Sequence, residues 1–150
     1  MFRGRFVHTL DSKGRVSIPT KFREILRAKY DGHLIITNWD RCLLTYPSEE
    51  WKKIEKRLSI LPGFGSDERS CQRFFMSGAT ECTIDPQGRV LIPPSLREYA
   101  ELDKEVVFVG MITGFEVWSK QRWDEEMKRL QGNLEKIGNA LNNALAKSGP

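Results

Sequence analysis

At 150 residues the chain can form one ordinary domain or two very small ones, and it is long enough to bury a core without disulfides or a structural metal. Its 39% hydrophobic and 29% charged residues are those of a soluble globular protein. No apolar run approaches the roughly 20 residues of a membrane helix, and the polar opening is unlike a secretory signal.

The net charge of +4 is unevenly spread. Residues 1–30 hold eight basic side chains against two acidic ones, giving +6 and leaving −2 for the remainder. Such a block is either a footprint for a polyanion or a solvated face that aids solubility. Cys42, Cys71 and Cys82 form no CxxC pair and read as reduced thiols of a cytosolic protein.

In chain order, residues 6–10 form a short β-prone run that meets a polar turn, Asp11-Ser12-Lys13-Gly14. Arg15-Val16-Ser17-Ile18 alternates polar and apolar, as a half-buried strand does. Pro19 ends that strand and opens a helix with Phe22, Ile25 and Leu26 on one face. Residues 34–37 and 42–46 are β-prone around a turn at 38–41. Ser48 is the expected N-cap of a helix whose apolar stripe is Trp51, Ile54 and Leu58.

This order then repeats. DSKGRVSIPTKFRE (11–24) and DPQGRVLIPPSLRE (85–98) share eight of fourteen positions at an offset of 74, and the later helix recurs with Trp123 in the place of Trp51. The expected organisation is a first unit at 1–61, a Pro-, Gly- and Ser-bearing linker at 62–73, a second unit at 74–130 and a tail at 131–150. Leu130, Leu134, Ile137, Leu141 and Leu145 give that tail the period of an amphipathic helix.

The repeated D-x-x-G-R-V-x-I-P element carries the chemistry. Asp11 and Asp85 can accept backbone N–H bonds across a tight turn. Gly14 and Gly88 supply a position where φ can be positive. Arg15 and Arg89 follow. An arginine paired with the aspartate has its guanidinium fixed in direction, which suits bidentate recognition of a phosphate or a guanine edge. The competing reading is a structural pair that only locks the turn.

Two such copies, with the opening F-x-G-x-F-x-H-T-L-D at 2–11, resemble the MraZ family, built from tandem AbrB-type swapped-hairpin units. The resemblance covers residues 1–130. It implies a mainly β, α+β fold with short helices, in which the two units interlock into one pseudo-two-fold, β-barrel-like domain. It also implies a transcription regulator of the bacterial division and cell-wall gene cluster, including its own promoter. That regulator would bind duplex DNA at short direct repeats as a ring-like homo-oligomer, in the cytoplasm and on the nucleoid.

The expected DNA-contacting residues are Arg15, Lys13, Arg3, Arg5, Ser12 and Gly14, with Asp11, Asp85 and Arg89 orienting the loops. Charge motivates the division. Residues 75–104 carry three basic and five acidic side chains, and Pro86-Gln87 replaces Ser12-Lys13. No catalytic cluster, metal-ligand spacing or cofactor motif is expected. His8 and His33 lie far apart and away from the cysteines, and the helix-start carboxylates are explained by the helix dipole. The alternative is an antitoxin-like module binding a protein toxin and its own operator; a third possibility, an enzyme on a related small barrel, has no supporting cluster.

Overall fold

The computed structural model describes residues 1–60 and 65–148. The chain divides into two compact units, Met1–Lys120 and Gln121–Pro150. In the first unit, β1 (Arg5–Thr9), β2 (Arg15–Ser17), α1 (Thr20–Lys29), β3 (His33–Trp39), β4 (Cys42–Pro47) and α2 (Ser48–Ser59) make the first copy. After α3 (Ser66–Ser77), the order returns as β5 (Thr80–Thr83), β6 (Arg89–Leu91), α4 (Pro94–Tyr99), β7 (Glu105–Gly110) and β8 (Phe115–Ser119), and α5 (Lys120–Gly132) leads into the second unit.

The pairing interlocks the copies. A six-stranded antiparallel sheet runs β1-β7-β8-β4-β3-β5, and β2 and β6 pair as a separate two-stranded ribbon. Exchanging each strand for its counterpart reverses the sheet order, so β4 and β8 meet on a pseudo-two-fold axis, as do β2 and β6. The sheet is open, with β1 and β5 at its edges. Each edge strand runs through its turn into the ribbon, which thereby spans from one edge to the other. Helices hold more residues than strands, but the sheet and ribbon carry the core.

That core is drawn equally from both copies. Val16 and Val90 of the ribbon, Ile18 and Ile92 beyond it, Phe22 and Leu26 of α1 and Leu96 of α4 are all buried with Phe108 and Phe115. Phe22 packs 5.4 Å from Phe2 and 5.0 Å from Phe115, ring centre to ring centre. Aromatic pairs at this spacing add about 0.5–1.5 kcal/mol each beyond burial.

Three local expectations are corrected. The β3–β4 hairpin is tighter than the 38–41 turn, because β3 extends through Trp39 and only Asp40 and Arg41 turn, at φ 51° and 68°; this twist suits a two-residue hairpin. Ser48 is the first helical residue of α2 and not its N-cap, which is Pro47. The Ser48 hydroxyl donates to Asp31 Oδ1 at 3.4 Å. Residues 66–73 of the expected 62–73 linker are helical, as part of α3. The Thr37 hydroxyl and the Asn38 amide donate to the Phe75 and Phe74 carbonyls at its C-terminal end (2.5 and 3.3 Å), and Phe75 stacks on Trp51 at 5.3 Å. Residues 61–64 of that region, and 149–150 of the tail, lie outside the described residues.

In the second unit, the tail's leucine period from Leu134 onward forms α6 (Leu134–Lys147), whereas Leu130 belongs to α5. Asn133 breaks α6 from α5, its side-chain amide donating to the Arg129 carbonyl at 2.9 Å. Leu134, Leu141 and Leu145 of α6 are exposed. No described helix is long and apolar enough to cross a membrane.

Candidate nucleic-acid interface

Each repeated turn is organised by its aspartate. Asp11 Oδ1 accepts the backbone N–H of Lys13 and Arg15 at 2.9 and 2.8 Å, and Oδ2 accepts Arg15 Nε–H at 2.8 Å. Asp85 does the same with Gln87, Arg89 and the Arg89 Nε–H, all at 2.9 Å. These bonds, led by the backbone N–H of Arg15 and of Arg89, hold both carboxyls below the usual carboxylate range. Gly14 and Gly88 sit at φ +88° and +79°, where an L side chain is strained. Each arginine is bound through Nε, which leaves its terminal Nη groups as a fork of fixed direction.

The two turns are tied to one another. Gly14 O accepts the Ile92 N–H, and Gly88 O accepts the Ile18 N–H, both at 2.9 Å. In the ribbon, Arg15 pairs with Leu91 and Ser17 with Arg89, flanking the buried Val16–Val90 pair. The alternation along a strand therefore turns Arg15 and Arg89 to the same outward face. From strand rise and strand spacing, their Cα atoms lie about 8 Å apart. Both side chains remain about one-third exposed, at 33% and 30%.

Helices from the opposite copy overlie the turns. A Cβ at Gly88 would collide with the Arg23 guanidinium, and one at Gly14 with that of Arg97. Arg23 donates to Thr20 Oγ1 at 3.0 Å, and Arg97 Nε to the Ile92 carbonyl at 2.9 Å. Arg23 also stands near His8, where burial first and the Arg23 charge second push the imidazole's pKa down.

Of the residues singled out from the sequence, Ser12, Lys13, Gly14 and Arg15 come together on the first turn with Asp11, and Asp85 and Arg89 stand beside them across the ribbon. Arg3 and Arg5 are exposed but lie at the other end of β1, with Arg5 about 20 Å along the strand from Asp11.

A family profile described as MraZ protein, with the qualifier antitoxin-like, matches residues 1–74 and again 75–141. The chain belongs to the MraZ family. A "Transcriptional regulator MraZ" of Syntrophobacter fumaroxidans is 47% identical over 136 residues, 91% of each chain. One from Caldanaerobacter subterraneus subsp. tengcongensis is 46% identical over 143 residues, covering 95% of this chain and 98% of its own. One from Moorella thermoacetica is 46% identical over 141 residues, 94% and 96%. The two profile matches meet within α3, so the boundary between MraZ repeats falls inside a single compact unit.

Within this MraZ-family chain, two functional candidates escaped the motif reading: Arg23 and Arg97. Both are present in the repeated string, at its thirteenth position. Their signal was the repetition itself, since a helical arginine on an exposed face needs no repeat. What the string did not disclose is that each arginine serves the other copy's turn.

Proposed function

We propose that this MraZ-family protein is a sequence-specific DNA-binding transcription regulator, acting in the cytoplasm and on the nucleoid. Its targets are the division and cell-wall gene cluster, including its own promoter, and it reads short direct repeats as a ring-like homo-oligomer. The observation that carries the reading is the pair of aspartate-held arginines on one outward ribbon face. A fixed guanidinium fork matches the O6/N7 edge of guanine or a phosphate, and an arginine at a base edge supplies sequence discrimination. The relatives' shared name, transcriptional regulator, supports the same reading.

In this reading Arg15 contacts a base edge or phosphate, with Lys13, Ser12 and the Gly14 backbone beside it. Asp11 aims the loop, and Asp85 and Arg89 hold the second turn. Arg3 and Arg5, distant along β1, reach phosphates away from the turn and contribute position more than sequence. The work is binding, with no substrate turned over and no cofactor required.

The test is fluorescence anisotropy on the protein's own upstream DNA against a scrambled duplex at fixed salt. Arg15→Ala should lose about 1–3 kcal/mol of discrimination per contact, multiplied over the bound subunits, while it still folds and assembles. Arg89→Ala should lower thermal stability more than operator preference. Wild-type protein that prefers neither duplex, or Arg15→Ala with full operator affinity, would overturn the reading. The antitoxin-like description of the family profile favours a second reading, a toxin-binding module; operator complexes that carry a second protein in fixed stoichiometry would support it.

A further inference from the structure

A cleft of about 310 Å³ opens between α1 and the second turn. Arg23 and Arg27 of the first copy line one side, and Asp85, Pro86 and Gly88 of the second copy line the other. The interlocked pairing thus carries cations from the basic first copy to a turn whose own surroundings are acidic. Charge counted along the sequence puts the attraction at the first turn; charge counted in space restores it at the second.

The cleft has the character of an anion site. Among the described residues, the Arg23 Nε–H is buried without a hydrogen-bond partner. An unsatisfied cationic donor is costly when buried, and a nearby anion relieves that cost. Arg27, one helical turn on, is exposed on the same helix edge. Two carboxylates also line the cleft and oppose an anion, but both are committed. Asp85 is taken up by the Gln87 and Arg89 N–H groups and the Arg89 guanidinium. Asp31 accepts the His33 N–H at 3.0 Å and the Ser48 hydroxyl. Arg89 offsets Asp85, and Arg23 with Arg27 outweighs Asp31. The first turn has no matching pair: the position 74 residues after Arg27 is Glu101.

We infer that this cleft holds a backbone phosphate of duplex DNA, bound by Arg23 and Arg27 beside the second turn. The inference rests on the DNA-binding reading and gives the two turns different tasks. The first turn reads sequence, and the second, through cations lent by the first copy, fixes the duplex in place. A DNA phosphate is favoured over a free one because the cleft borders the turn that presents Arg89 on the Arg15 face.

The experiment measures binding of the full chain to operator and to random duplex over a salt series, for wild type, Arg27→Gln, Arg23→Gln and Lys56→Gln. Lys56 is an exposed cation of α2 and controls for general loss of charge. Arg27→Gln should weaken both duplexes by the same factor, about tenfold. It should also shallow the slope of log K against log salt by about 0.9 for each bound subunit, with operator preference intact. Arg23→Gln should do the same if it folds; Arg27, being exposed, keeps the test valid if it does not. An Arg27→Gln protein indistinguishable from Lys56→Gln on both duplexes overturns the inference and leaves the DNA-binding reading standing. Loss confined to operator also overturns it, since that marks base readout. So does lost binding of inorganic phosphate with duplex affinity unchanged, since that marks a site for the free ion. A wild type that binds neither duplex sinks the broader reading and this one with it.

Discussion

The two Asp-x-x-Gly-Arg turns are the same object built twice, to within 0.1 Å in each corresponding hydrogen bond to the aspartate. Both aspartates have pKa values below the ordinary 3.8. A lowered folded value means that their contribution to stability is complete above the ordinary value and lost as pH falls through the folded one. The turns should therefore hold their order across neutral pH and loosen only below about pH 4, seen as loss of amide protection at Lys13 and Gln87 in hydrogen exchange. Loosening near pH 6 would contradict this. The glycines are equally constrained. Gly14→Ala or Gly88→Ala combines a positive φ with a clash against an arginine, and should cost about 1–3 kcal/mol in thermal or denaturant unfolding. An unchanged midpoint would show that the arginines yield freely and that the close approach has no role.

The elements were legible in the sequence, and their partners were not. The order strand, turn, strand, helix, hairpin, helix follows from local apolar spacing, which a strand or helix needs whatever it packs against. Nothing local tells β1 that its neighbour is β7, about a hundred residues on, or β3 that it must take β5. The 66–77 helix was hidden for the same reason. Its polar, Ser-bearing sequence has no strong apolar stripe of its own, and its supports are Thr37, Asn38 and Trp51, far back in the chain. The candidate site divides likewise. Asp11 to Arg15 is a local turn and could be read directly, whereas the Arg23–Gly88 approach exists only after the copies interlock. The same logic governs fragments. A chain of residues 1–74 lacks the partners of β1, β2 and one side of β3, and unpaired strands do not stand alone. It should be unfolded as a monomer, or fold only by dimerising so that a second copy replaces the missing half. Circular dichroism with sedimentation tests this, and a folded, two-state monomer would contradict the interlocked description.

For the whole molecule, the hairpin exchange is satisfied within one chain, so any assembly must use another surface. If the proposed reading of direct DNA repeats holds, the subunits suit a head-to-tail ring better than an isologous dimer. Light scattering should therefore report a closed oligomer larger than two, and monomers alone at micromolar concentration would refute it. Several basic blocks on one assembly should make the salt slope of DNA binding several units steep; a flat slope would remove the electrostatic part of the interaction. The crossed pairs Arg23–Gly88 and Arg97–Gly14 also bear on heredity. Each turn's complement is encoded in the opposite half of the gene, so one crossover between divergent alleles, anywhere in the codons joining the copies, would mismatch both pairs together. Mutations at a turn should find their second-site suppressors in the other copy, and the two halves should pass between lineages as a single indivisible locus.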